Sequence, residues 1–117
     1  MRDVYERYLI AFVRALGNYL RANGKRIASI SKLTGQRKVL LSFRGLFRYH
    51  DPSTGYLKFM DAWDEAIEKG FLDVLKSKGI RYIPGEEPYL EFPLGILEEL
   101  VSICDDEKKI LKFLTNA

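Results

Sequence analysis

Between Glu6 and Asp51 the chain carries no acidic residue, and that stretch holds ten basic ones: Arg7, Arg14, Arg21, Lys25, Arg26, Lys32, Arg37, Lys38, Arg44 and Arg48. Residues 1–50 contain 11 Lys and Arg against 2 Asp and Glu, a net of +9, and residues 51–117 contain 8 against 14, a net of −6. The overall charge of +3 conceals this polarity. A fold must either gather the cations into a patch open to solvent or neutralise them with carboxylates from the chain's own tail. A surface of one sign attracts the opposite sign over roughly 8–10 Å at physiological salt. Nucleic acid is the most abundant polyanion in a cell, so the first half reads as a nucleic-acid face.

A chain of 117 residues points to one domain spanning 1–117, divided by charge into a basic half, 1–50, and an acidic half, 51–117. Its hydrophobic fraction of 47% and charged fraction of 30% are those of a globular protein that folds without staples. A single cysteine, Cys104, excludes an internal disulfide and a Cys-based zinc site. Arg2, Asp3, Glu6 and Arg7 interrupt the first apolar run, so no secretory leader is expected. No apolar run nears the ~18 residues that span a bilayer. These features predict a cytoplasmic protein with no membrane partner, and the Lys, Arg, Glu, Tyr and Ile content fits a thermophile.

The apolar spacing predicts a mainly α, compact helical domain with one small β-hairpin. Tyr5, Tyr8, Leu9, Phe12, Val13, Leu16, Tyr19 and Leu20 fill one face of a helix over 3–22, which Asn23 and Gly24 would end. Arg7, Arg14 and Arg21 recur every seven residues on the opposite side. A short helix is expected over 27–33, closed by Thr34 and Gly35. Val39, Leu40, Phe43, Leu46 and Phe47 suggest a further helix to about Tyr49, with a strand over 38–43 as the alternative because Val39-Leu40-Leu41 has no clean period. The segment 50–55 reads as a turn, or as the tie of a hairpin between 47–49 and 56–58. Helices are expected over 57–69, 71–78 and 94–104, and a last one after Asp105 and Asp106. Residues 80–92 alternate around a Pro/Gly turn and read as a hairpin.

The segment Ile27 to Gly35 resembles the first helix and glycine turn of a helix-turn-helix. Leu75 to Tyr82, followed by a turn and Tyr89-Leu90-Glu91-Phe92, resembles the helix end and wing of a winged-helix domain. The resemblance implies that a second helix, about Arg37 to Tyr49, enters the major groove of DNA and brings Arg37, Lys38, Arg44 and Arg48 to phosphates or base edges. This chain departs from the pattern at Gln36 and Ser31, in the length of 51–79, and in Glu86 and Glu87 at the hairpin tip, which phosphates would repel.

Arginine offers a planar fork of donors suited to phosphate, and eight of the nine arginines lie within residues 1–48. The expected phosphate-binding residues are Lys25, Arg26, Lys32, Arg37, Lys38, Arg44 and Arg48, then Arg7, Arg14 and Arg21, with DNA ahead of RNA as partner. Phe43, Phe47, Tyr49 and Tyr56 interleave with these arginines, either to stack unpaired bases or to fill the core. Asp61, Asp64, Glu65 and Glu68 form one helical stripe. It reads as a solvated face, a dock for a basic surface, or a Mg²⁺ nuclease site. His50 is the only histidine and no nucleophile is placed beside it, so catalysis is not expected. Cys104 reads as core. No phosphate-cradling glycine motif occurs, and no metal or cofactor is expected. The alternative function is a helical adaptor that binds protein partners or its own copies through its charged halves and the leucine-rich C-terminal helices, Leu97, Leu100, Ile103, Ile110, Leu111 and Leu114.

Overall fold

A computed structural model describes residues 6–116; the start of the expected first helix, with Tyr5 of its apolar face, lies outside them. One helix dominates. α1 runs unbroken through Arg7–Leu33, 27 residues, and lays twelve buried residues along its length, from Tyr8 to Ser31. The expected break at Asn23-Gly24 does not occur, and the two predicted helices are one. Gly24 is not a cap. It is buried where α1 meets a later helix, and a Cβ there would stand 2.8 Å from Val101 Cγ2. A glycine in mid-helix costs about 1 kcal/mol relative to alanine; here it permits a close helix–helix approach. The helix ends at Thr34 and Gly35, as the composition indicates, with the Gln36 N–H closing on the Ser31 carbonyl at 2.9 Å.

The segment read as a helix to about Tyr49, with a strand over 38–43 as the alternative, divides: the strand occupies its first part and a helix the second. β1 is Lys38–Ser42 and α2 is Phe43–Arg48. Val39 and Leu41 point inward while Lys38 and Leu40 point outward, the period of two that a sheet with one wet face requires. Ser42 ends the strand and caps the helix, its hydroxyl accepting from the Arg44 N–H at 3.1 Å. A 3-10 turn, Pro52–Thr54, follows in place of the alternative hairpin at 47–58. α3 (Phe59–Glu68), α4 (Phe71–Lys76), the hairpin β2 (Arg81–Ile83) and β3 (Tyr89–Pro93), α5 (Leu94–Ser102) and α6 (Glu107–Thr115) stand where periodicity and caps place them. Asp106 caps α6 by accepting from the Lys108 and Lys109 N–H groups.

The fold is mainly α, with the predicted hairpin extended to a three-stranded antiparallel sheet of order β1-β3-β2. Val39 pairs with Phe92 and Leu41 with Leu90 on the buried face; Leu40, Glu91 and Arg81 align across the wet face. The core lies between this sheet, α1 and α3. Its centre is a ring cluster in which Phe12, Phe43, Phe59, Trp63 and Phe71 meet with centroids 5.1–6.4 Å apart. Such contacts add about 0.5–1.5 kcal/mol each beyond the burial of the rings themselves. The C-terminal apolar residues are largely used up in the same core: Leu97, Leu100, Ile110, Leu111 and Leu114 are all at most 5% exposed, and Ile103 is half-buried. They do not form the association surface that their number suggests. Among the described residues no helix is long and apolar enough to cross a membrane.

Candidate nucleic-acid interface

The ten cations separate into four settings. The first is a tie. Arg14, half-buried on α1, donates from Nε and Nη2 to both carboxylate oxygens of Glu107 at 2.7 and 3.2 Å, and from Nη1 to Asp51 at 3.0 Å. These bonds hold its guanidinium above the ordinary arginine pKa, with Glu107 the larger cause and Asp51 the next. Asp51 in turn caps the 3-10 turn by accepting from the Ser53 N–H, and the Ser53 side chain first, that N–H second and Arg14 third hold its carboxyl below the usual range. Arg7 lies beside the same turn, against Gly55. The expected Arg7–Arg14–Arg21 track is thus interrupted in its middle by carboxylates from the second half.

The second setting is a groove of about 640 Å³ between α1 and α5. Arg21 and Lys25 line one wall, and Glu98 and Asp105 line it with them. The third is the far end of α1 and the outer strand, with Lys32, Arg37 and Lys38 all exposed. Lys38 pairs with Glu91 at 3.7 Å, and Glu91 also takes Arg81 at 3.2 Å.

The fourth is an open notch of about 250 Å³ between α1 and α2, lined by Tyr19, Asn23, Arg44, Gly45, Arg48 and Tyr49. No carboxylate lines it. Tyr19 and Asn23 lie one turn apart on α1, and Arg26 continues that face. The Arg26 guanidinium donates to Asn23 Oδ1 at 2.8 Å, and Asn23 Nδ2 donates to the Tyr19 carbonyl at 3.4 Å. Arg26 is close enough to the Tyr19 hydroxyl to draw its pKa down, although burial pushes that pKa up by more. On α2, Arg44 and Arg48 share one side at i, i+4. Gly45 lets the two helices close: a Cβ there would stand 2.3 Å from the Tyr19 ring. Tyr49 then packs edge-on against Tyr19, centroids 5.8 Å apart. Arg44 is held by Glu87 of the β2–β3 turn. Arg48 and Arg26 have no ion pair among the described residues.

The aromatic residues interleaved with these arginines have distinct fates. Phe43 is fully buried and belongs to the core, while Phe47 keeps 44% of its surface exposed. Phe47, Leu57 and Met60 line a separate cavity of about 330 Å³ with His50, Lys58 and Phe59. Tyr56 is half-buried; burial first, and a hydrogen bond to Glu65 second, push its hydroxyl up to about 12, so it is committed to α3. His50 follows α2 and is half-buried. Its ring lies edge-on to Phe59, and Nε2–H donates to the Tyr56 carbonyl at 2.7 Å.

On α3, Asp61, Asp64 and Glu68 are exposed and Glu65 is half-buried. Among the described residues no group of three or more His, Cys, Asp and Glu side chains is arranged to hold a metal ion. Tyr19 and Asn23 are the lining residues that sequence reasoning missed. Tyr19 sits within the apolar spacing of α1, and Asn23 was assigned to a helix end that does not exist; only the approach of α2 makes them a site. No family model, curated protein or solved structure matches this chain.

Proposed function

We propose that this chain binds nucleic acid, holding phosphates through the cations of α1, β1 and α2. The observation that carries the reading is the notch between α1 and α2. Arg44 and Arg48 line it from α2, and on α1 Arg26 bonds to Asn23 of its wall, with no carboxylate in the lining. Of the ten expected residues, seven have no ion pair among the described residues: Arg7, Arg21, Lys25, Arg26, Lys32, Arg37 and Arg48. The pairs of Arg44 and Lys38 are well exposed on the cationic side, and such pairs are worth about 0–1 kcal/mol, so a phosphate displaces them readily. Arg14 is excluded from the interface by its two carboxylates.

We read the connectivity, a helix, a strand, further helices and then a hairpin whose β3 pairs with the first strand, as that of a winged-helix domain. Its usual mode of docking is not proposed here. The segment over Arg37 to Tyr49 is a strand and a six-residue helix, too short to track a major groove. α3, the next helix along the chain, exposes Asp61, Asp64 and Glu68, which repel phosphate. Glu86 and Glu87 burden the hairpin tip in the same way. The face assigned is instead the junction of α1 and α2. The test is a titration against oligonucleotides over a range of salt. With about five phosphates engaged, the log–log slope for duplex is about −4 to −5. A slope near zero overturns the reading.

A further inference from the structure

Resting on that reading, we infer that the notch between α1 and α2 is a base-stacking subsite for single-stranded nucleic acid: an unpaired base lies on Tyr49 while Arg48 and Arg26 hold the adjoining phosphates. Three features of the notch lead there. Its volume of about 250 Å³ is below the roughly 300–1,000 Å³ of pockets that enclose whole small molecules, so it takes one flat group with the rest of the ligand outside. Its walls include two tyrosines set edge to face, Tyr19 packed against the Gly45 backbone and Tyr49 half-buried beside it. Its rim is cationic: Arg48 is exposed and without an ion pair among the described residues, and Arg26 is steered by Asn23. An aromatic face with arginine beside it is the combination that binds single strands without reading sequence.

The same features disfavour duplex at this subsite. A paired base is stacked on both faces and cannot turn onto a side chain without being unpaired, at a cost of a few kcal/mol. Duplex can use the arginines but not Tyr49. Two other cavities lack the combination. The α1–α5 groove has Glu98 and Asp105 in its lining, and the cavity at Phe47 and Leu57 has Lys58 but no arginine.

The experiment compares the full chain with its Tyr49→Ala, Tyr49→Phe and Arg48→Ala variants, titrated with oligo(dT), oligo(U) and a duplex of equal length. Tyr49→Ala weakens both single strands about tenfold and leaves duplex within about twofold. Tyr49→Phe keeps single-strand affinity, because stacking needs the ring and not the hydroxyl. Arg48→Ala weakens single strand and duplex alike and shallows the salt slope by about 0.7–0.9. Should Tyr49→Ala fail to fold, photocrosslinking of the unaltered chain to bromouracil-substituted oligonucleotide decides: a crosslink on Tyr49 supports the inference, and crosslinks elsewhere only overturn it. Equal losses for single strand and duplex on Tyr49→Ala, or no loss, also overturn it, while a steep salt slope in the same data leaves the broader phosphate-binding reading standing. If the unaltered chain binds none of the three probes, both readings fall.

Discussion

The groove between α1 and α5 and the notch between α1 and α2 draw on the same acid-free helix, yet they handle its cations in opposite ways. In the groove Arg21 and Lys25 share their walls with Glu98 and Asp105; in the notch Tyr19 and Asn23, the latter bonded to Arg26, face Arg44, Arg48 and Tyr49. α1 itself supplies two cations to the groove, Arg21 and Lys25, and only Arg26 to the notch side. What differs is the element packed against it. α5 comes from the acidic half and α2 from the basic one. Local charge density is therefore no guide to which cations are available. The partner element decides, and a polar chain that folds back on itself neutralises one flank and leaves the other open.

The largest way to disturb this arrangement is to push α1 away from the segment that follows α5. Gly17 faces the α5–α6 connection and α6, where a Cβ would stand 2.9 Å from the Cys104 carbonyl oxygen and 3.2 Å from Ile110 Cδ1. Backbone cannot swing aside as a side chain does. Gly17→Val is expected to destabilise the fold by about 2–3 kcal/mol in chemical denaturation, with little change in the affinity of the molecules that remain folded. A large loss of affinity at unchanged stability would place the binding face on the groove side after all. The next effect tests the two flanks directly. Arg26→Ala with Arg48→Ala is expected to cut single-strand affinity by about tenfold or more and to shallow the slope by about 1.4, whereas Arg21→Ala with Lys25→Ala changes affinity about twofold. Equal losses from the two pairs would dissolve the distinction between groove and notch.

Arg14 shows the neutralising half of the comparison at its clearest, since it ties α1 to both the 3-10 turn and α6. Arg14→Ala is expected to cost about 1 kcal/mol at neutral pH, chiefly through the two-point contact with Glu107. The sign of its pH dependence follows from Asp51. That carboxyl titrates lower in the folded chain than in the unfolded one, so its contribution is present above about pH 4 and is lost as pH falls through the depressed folded value. Removing Arg14 takes away one cause of the depression and leaves the Ser53 contact. The gap in thermal stability between the parent and Arg14→Ala should therefore narrow on acidification below about pH 4. A gap that widens there would mean that the tie is not electrostatic.

Most of the scaffold was legible, and the failures share a cause. α3 to α6 and the hairpin declare themselves by apolar spacing, by Asp106 as a cap and by the Pro84-Gly85 turn, all of them local signals. Gly24 misled because a glycine after a helical run looks the same whether it ends the helix or admits a neighbour; Val101, the neighbour, is far along the chain. β1 stayed open between helix and strand because its partner is β3, Tyr89–Pro93, so nothing nearby decides whether Val39-Leu40-Leu41 is extended. The notch was half legible. Arg26, Arg44 and Arg48 announced themselves by type, but Tyr19 looked like core until Gly45 brought α2 against it. What sequence conveys well is which residues carry charge. It conveys poorly which of them the tertiary fold leaves unmatched.

Arg44 is where the two behaviours meet, and it supplies the smallest and most discriminating effect. It lines the open notch, yet Glu87 from the acidic half reaches across from the hairpin turn to hold it. Both side chains are well exposed, so the pair contributes little to stability, and Glu87→Gln should leave thermal unfolding almost unchanged. For a phosphate the situation is different. It must displace a carboxylate before it can use Arg44, and it must also lie near that carboxylate's charge. Glu87→Gln removes both obstacles while keeping the shape of the side chain and its capacity to accept a hydrogen bond from Arg44. Affinity for oligo(dT) is then expected to rise about twofold to fivefold at low salt, and the gain should shrink as salt screens the carboxylate in the parent. The Arg44→Ala variant supplies the control: on that background Glu87→Gln should recover much less affinity, because the coupling runs through the guanidinium. If Glu87→Gln acts as strongly without Arg44 as with it, the carboxylate repels the strand directly, and the hairpin rather than the notch is the surface that the nucleic acid approaches.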